Sequence, residues 1–276
     1  MKIIGKLCKS KKKYNEDFIS YNDNYAFVLD GASGLKQNII SEASDANWYV
    51  TTFASYLEKY IEKNNVKQAV RKALKDISKD IDKYSKNIKS KLDVPSACIA
   101  LVKENKYDFE FFVLGDCSII YGNKKEQTLI TNEDIKNLDT EKIEKMISLS
   151  KEKNINVSDA YELVVPDLQK QRLLKNVPNG YYILDVDDVA VEHANYKVVP
   201  KKNIEMIILL SDGFSSYYDC LELENNYKTF FLRNYEDDVE KLYKRLRKEE
   251  QQDEFLNKHP RFKISDDTSI IKLKCD

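Results

Sequence analysis

The stretch Ala26-Phe27-Val28-Leu29-Asp30-Gly31 reads as a short apolar strand that runs straight into a carboxylate and a glycine. Far down the chain, Ile207 to Leu210 followed by Ser211-Asp212-Gly213 repeats the pattern. Two further acidic pairs stand where strands open: Glu16-Asp17 before Phe18 to Tyr21, and Asp266-Asp267 before Thr268 to Leu273. A carboxylate at a strand end can point into a cleft, and an adjoining glycine lets backbone carbonyl and water approach closely. Hard oxygen ligands of this kind suit Mg²⁺ or Mn²⁺. Any one such pair alone is ordinary turn punctuation. Their recurrence is the clue to a site.

Outward from these points the chain alternates between two periodicities. Lys2 to Leu7, Phe18 to Tyr21 and Tyr25 to Leu29 are β-type runs, and Asn22-Asp23-Asn24 makes the last two a hairpin. From Ser41 the spacing of Trp48, Phe53, Tyr56, Leu57, Tyr60 and Ile61 predicts an amphipathic helix to about Lys63, with the aromatics as helix core. A second helix is expected from Val66 to Lys91, with Val70, Leu74, Ile77, Ile81 and Tyr84 on one face. Ala97 to Lys103, Phe109 to Leu114, Ser118 to Tyr121 and Thr128 to Thr131 read as an antiparallel meander. Asn132 to Asn179 is lysine-rich and weakly periodic, which suits a mobile flap better than core. Tyr181 to Leu184, part of Val189 to Val199, and Ile204 to Leu210 are strand candidates. Val239 to about Phe255 is a charged amphipathic helix with Leu242, Tyr243 and Leu246 inward. No repeat or Pro/Gly-rich linker divides the 276 residues, so the expectation is one α+β domain over 1–276 with an insertion at about 132–180.

Composition narrows the function classes. With 42% hydrophobic and 11% aromatic residues the chain is globular, and 45 Lys+Arg against 46 Asp+Glu argue against a nucleic-acid or membrane-surface field. No run approaches the ~18 apolar residues of a membrane helix, and the N-terminal lysines do not make a secretory signal, so a cytoplasmic location is expected. The five cysteines are scattered and odd in number, without a CxxC pair, and read as reduced thiols. Two histidines, His193 and His259, leave metal chemistry to carboxylates.

In order along the chain, NEDF at Asn15 to Phe18, FVLDGASG at Phe27 to Gly34, PSACIALV at Pro95 to Val102, VLGDCSIIY at Val113 to Tyr121, LLSDGF at Leu209 to Phe214 and SDDTSIIKL at Ser265 to Leu273 resemble the metal-dependent protein phosphatases of type 2C. The resemblance implies an antiparallel β-sandwich flanked by helices on both sides, with a two-metal site at one end. It implies hydrolysis of phosphoserine and phosphothreonine by a water activated between two Mn²⁺ or Mg²⁺ ions. Asp30 would bridge the ions and the Gly31 carbonyl would help hold the second. Glu16 would bind the second ion directly or through water, Asp212 and Asp266 would hold the first, and Asp17 would orient the water.

Several positions depart from the family pattern. Where the family commonly grips phosphate with an arginine, this chain has Lys12, a point charge in place of a bidentate fork. Ala32 stands where many eukaryotic members carry a histidine, a feature of the bacterial-type branch. Asp116 matches the aspartate of a third, weaker metal, but Ser216 replaces its usual carboxylate partner. The implied partners are a phosphoprotein substrate and a cognate Ser/Thr kinase, with neither nucleic acid nor membrane, and the protein is expected to be a monomer. A catalytically silent relative that binds a phosphopeptide or partner through the same cleft is the alternative. Tyr181 to Asp187 looks like the strand and DxD of haloacid-dehalogenase-type phosphatases, but the following residues lack the alternation of helix and strand which that fold needs. Asp185, Asp187 and Asp188 therefore read as a polar turn, and His193 as an ordinary strand or loop residue.

Overall fold

Strands that are apolar on nearly every residue need cover on both faces, and Val28, Leu101, Phe112 and Ile208 all lie in such runs. The computed structural model, which describes residues 1–32 and 38–275, meets that need with two packed antiparallel sheets between two helical layers. Ser33 and Gly34, at the end of the second motif, lie outside the described residues. One sheet consists of β2 (Asp17–Tyr21), β3 (Tyr25–Ala32), β4 (Ser96–Glu104), β5 (Asp108–Leu114) and β8 (Asn195–Pro200), in that spatial order. The other runs β1 (Lys2–Lys9), β10 (Thr268–Lys274), β9 (Met206–Leu210), β6 (Ser118–Gly122) and β7 (Gln127–Ile130).

Period-two alternation sorts the side chains into three layers. Phe27 and Leu29 of β3, with Ile99 and Leu101 of β4, face α1 (Asp45–Ile61) and α2 (Val66–Asp82). Val28, Ala100 and Phe111 turn the other way and meet Ile207, Leu209 and Ile271 between the sheets. Beyond the second sheet, Ile208, Leu210 and Ile270 pack on α5 (Asp212–Asp219), α6 (Tyr227–Arg233) and α7 (Val239–Gln252). The helix–sheet–sheet–helix sandwich expected from the resemblance is the observed fold. A hairpin of α3 (Asp134–Lys153) and α4 (Tyr161–Arg172) stands beside it on a small apolar cluster of its own, which includes Met146, Val164 and Leu168.

Local expectations needed four corrections. The second helix stops at Asp82, not Lys91: its hydrogen bonds tighten to the three-residue span of turns from Lys83 to Asn87, and Asp93 then gathers the Lys89 and Ser90 amides (2.7 and 2.9 Å) before β4. The four strands expected as a meander are two hairpins in different sheets, with the chain crossing at Gly115-Asp116-Cys117. Tyr181 to Leu184 makes only isolated bridges, one of them pairing Leu184 with Ala97. Residues Asp188–His193 form a 3-10 turn, in which His193 stacks on Tyr182. The short helices α5 and α6 were not foreseen; each has fewer than three turns, too few for a periodicity to register.

Leu74 of α2 is fully buried against the first sheet. Leu74→Ala should cost about 2–5 kcal/mol through lost burial and a residual cavity, seen as a lower urea midpoint with far-UV circular dichroism retained in the folded baseline.

Candidate active site

Four acidic segments far apart in sequence meet at one end of the sandwich, and strand register brings them there. Asp17 is the β2 residue directly opposite Asp30 of β3, and Asp30 is in turn opposite Cys98 of β4. In the other sheet Ser211 follows β9, and its amide donates to Ser269 O of β10 at 3.1 Å. The Ser211 hydroxyl donates to Asp17 Oδ2 at 2.8 Å, which joins the two sheets under the site.

Each Asp-Gly pair packs its glycine against one of the other acidic pairs. The Gly31 amide donates to Glu16 O at 2.9 Å, and a Cβ on Gly31 would come within 2.6 Å of that oxygen. A Cβ on Gly213 would come within 1.9 Å of Asp267 O. No larger residue fits at either contact without moving backbone.

The surroundings fix the acidic residues in place. Glu16 Oε1 accepts from Ser44, the N-cap of α1, at 2.7 Å, and Glu16 N donates to Asp267 Oδ2 at 2.8 Å. Lys12 lies 2.9 Å from Glu16 Oε2 and within 3.8 Å of both Asp266 and Asp267. Lys263 lies 2.6 Å from Asp266 Oδ2. From α7, Arg247 pairs with Glu250 in a buried ion pair and donates to Asp266 O at 2.8 Å, anchoring the loop before β10.

Charge dominates the electrostatics. Burial, followed by the neighbouring Asp212 and Asp17, pushes the Asp30 carboxyl well above its usual range, and Asp212 is raised by its own burial and by Asp266. Asp17 is likewise raised by burial, with Asp212 and Asp266 adding to the effect. Asp116, in the corner between β5 and β6, is raised by burial and by Asp212. Asp266 alone is lowered, because Lys263 and Lys12 outweigh its burial.

Lys12, Glu16, Asp30, Gly31, Asp116, Asp212 and Asp266 all line one cavity of about 740 Å³. Asp17 lies beneath it, with Oδ1 buried and without a hydrogen-bond partner; Asp116 Oδ1 is in the same condition. Orphaned carboxylate oxygens among repelling carboxylates fit hard divalent cations, which would satisfy the oxygens and cancel the repulsion. Among the described residues no three His, Cys, Asp or Glu side chains already stand as a finished ligand cluster. Lys12 and Lys263 meanwhile supply positive charge beside the carboxylates.

Sequence reading missed several contributors. Lys263, Arg247 and Ser44 act through contacts that no motif encodes. Asp139 and Gln171, from the α3–α4 hairpin, line the same cavity, as does His259 from the loop after α7. Ser216 donates its hydroxyl to Gly213 O at 2.9 Å and brings no carboxylate.

The protein phosphatase 2C family model matches residues 4–258. No curated protein matches the chain. Among solved structures, the Staphylococcus aureus serine/threonine phosphatase Stp1 is similar at a TM-score of 0.57 and 14% identity, over 100% of this chain and 96% of that one. The Mycobacterium tuberculosis serine/threonine phosphatase PstP is similar at 0.56 and 12%, over 99% and 97%. A structure of the PstP catalytic domain in complex with 2 manganese ions gives 0.50 and 11%, over 99% and 97%. At these identities the likeness is one of fold.

Carboxyls raised by burial and repulsion bind more protons folded than unfolded, so they make stability fall as pH rises. In chelator, the protein should therefore lose stability as pH rises through about 7, the value to which Asp116 is raised. Asp30→Asn should raise the melting temperature in chelator and flatten this slope. Scanning calorimetry across pH tests both; a lower melting temperature in Asp30→Asn would contradict the repulsion.

Proposed function

The chain belongs to the protein phosphatase 2C family and is a metal-dependent serine/threonine protein phosphatase, and on that premise we propose how its residues divide the work. Asp30, Asp212 and Asp266 would hold one divalent ion, and Asp30, Glu16 and the Gly31 carbonyl a second. Bound there, two such ions lower the pKa of a water between them and neutralise the phosphoryl group it attacks. The observation that carries this assignment is the convergence of half-buried, mutually repelling carboxylates on one cavity.

Asp17, fixed by Ser211, orients the attacking water through its free Oδ1. Lys12 exchanges part of its contact with Glu16 for a substrate phosphate oxygen, contributing one point charge. Manganese, named for the PstP complex, and magnesium both suit the all-oxygen donor set. Residues 1–276 act as one phosphatase domain, in which the α3–α4 hairpin is the insertion bordering the cleft and selecting which phosphoproteins enter. The protein works as a monomer in the cytoplasm, in signalling, opposite a Ser/Thr kinase. Five scattered cysteines suit a reducing compartment, and both outer sheet faces are already covered by helices. Among the described residues no helix is long and apolar enough to cross a membrane.

Phosphopeptide hydrolysis should require added Mn²⁺ or Mg²⁺ and stop with chelator, and Asp212→Asn should lower turnover by orders of magnitude at saturating metal while the fold survives. Full activity in chelator would refute the metal assignment. Ala32 places no proton donor beside the leaving group, a contribution typically worth 10²–10⁴-fold for poor leaving groups. The chemical step should therefore depend steeply on leaving-group pKa, p-nitrophenyl phosphate reacting faster than alkyl phosphates of similar size. A flat dependence would assign the proton to another group.

A further inference from the structure

The cavity is larger than the chemistry among its carboxylates requires. At about 740 Å³ it has the size of sites that enclose whole drug-sized ligands, more than one phosphoserine side chain fills. Beyond the carboxylates, much of its lining is apolar. Ile135 and Ile143 of α3 and Tyr161 and Leu168 of α4 come from the hairpin, and Phe262 and Ile264 come from the loop before β10. The Tyr161 and Phe262 rings meet edge to face with centroids 6.2 Å apart, which joins α4 to that loop.

Two of these side chains lie outside the packing of the fold. Ile143 is half-buried and Ile264 is exposed, and neither belongs to any of the four apolar clusters found among the described residues. Ile135, Asp139 and Ile143 are spaced four residues apart, so they stack on one face of α3 and line the cavity over two turns, about 12 Å. An extended peptide advances about 3.3–3.6 Å per residue and would pass that face in about four residues.

Charge narrows the occupant further. Lys136, Lys258 and Arg261 also line the cavity, but Asp219, Glu249 and Asp253 respectively engage them. Glu133, Glu144 and Glu222 line it with no ion pair among the described residues. An acidic substrate residue would meet these uncompensated carboxylates, whereas an apolar one would find aliphatic surface to cover.

Resting on the phosphatase reading above, we propose that α3 and the loop before β10 form a specificity subsite for a large apolar side chain, Leu, Ile or Phe, within about four residues of the phosphoserine or phosphothreonine that is hydrolysed. Ile143 and Ile264 cover that side chain, and the unpaired glutamates turn away acidic neighbours. The substrates are therefore phosphoproteins whose phosphorylated segment is apolar and poor in acidic residues.

The test uses the full chain at saturating Mn²⁺ and phosphoserine peptides in which Leu, Ser or Glu is placed in turn at each of four positions on either side of the phosphoserine. For at least one position, wild type should show a KM about tenfold lower for Leu than for Ser with kcat little changed, and the poorest kcat/KM for Glu. Ile143→Ser and Ile264→Ser should each bring the Leu-to-Ser ratio at that position close to one. Ile143→Lys separates specificity from a merely loosened hairpin, since it should reverse the order and make the Glu peptide the best substrate. Equal kinetics for Leu, Ser and Glu at every position, beside normal hydrolysis of p-nitrophenyl phosphate, overturns this proposal alone, as does a Leu preference that none of the three variants moves. Hydrolysis of neither aryl phosphate nor peptide overturns the phosphatase reading, and this subsite with it.

Discussion

Burying like charges together is the constraint around which this molecule is arranged. Asp17, Asp30, Asp116 and Asp212 are brought to one end of the sandwich, where burial and mutual repulsion raise each carboxyl above its ordinary range. Such a cluster destabilises the fold that carries it unless protons, lysines or metal ions offset the repulsion. Activity and stability therefore draw on the same groups, and a scaffold must over-determine their positions to keep them together.

The over-determination comes from backbone contacts more than from side chains. Gly31 against Glu16 O, and Gly213 against Asp267 O, are the same device used once in each sheet. An Asp-Gly pair docks by its glycine onto an acidic pair from the neighbouring segment, so all four carboxylate segments converge with little freedom. Ser211 then fastens one sheet to the other through Asp17, and the Arg247–Glu250 pair of α7 holds the Asp266 loop from behind. The helical layers thereby contribute to the geometry of the site as well as to the hydrophobic core.

Beside this rigid end, the α3–α4 hairpin has few apolar anchors. Its own cluster joins Met146, Val164 and Leu168 to Leu256 from the loop after α7, while Ile135 and Leu138 at the start of α3 touch the core between the sheets. An element built in this way can move without disturbing the main core, which is what a cleft border requires. It also explains why the hairpin reads in the sequence as weakly periodic: there is little buried surface for a strong amphipathic stripe to serve.

Much of the fold was legible in the sequence because local patterns reflect local physics. Runs such as Ala26 to Leu29 and Ile207 to Leu210 are apolar on both faces and could only be interior strands, and the spacing from Trp48 to Ile61 could only be a helix seeking a sheet. The acidic pairs at strand ends were visible for the same reason. The sequence did not say that the chain changes sheets at Gly115-Asp116-Cys117, since both hairpins have the same alternation whichever sheet they join. Nor did it announce the end of α2, where the helical ladder gives way to turns at Lys83. By itself, then, the sequence determined the elements, their buried faces and the identity of the carboxylates, all properties of short segments. Only the tertiary structure decided that Lys263 and Arg247 attend Asp266, that Ser211 reaches Asp17, and that Asp139 and Gln171 line the same cavity as Asp116, because these residues come together through packing across long stretches of chain and no spacing along the sequence encodes it.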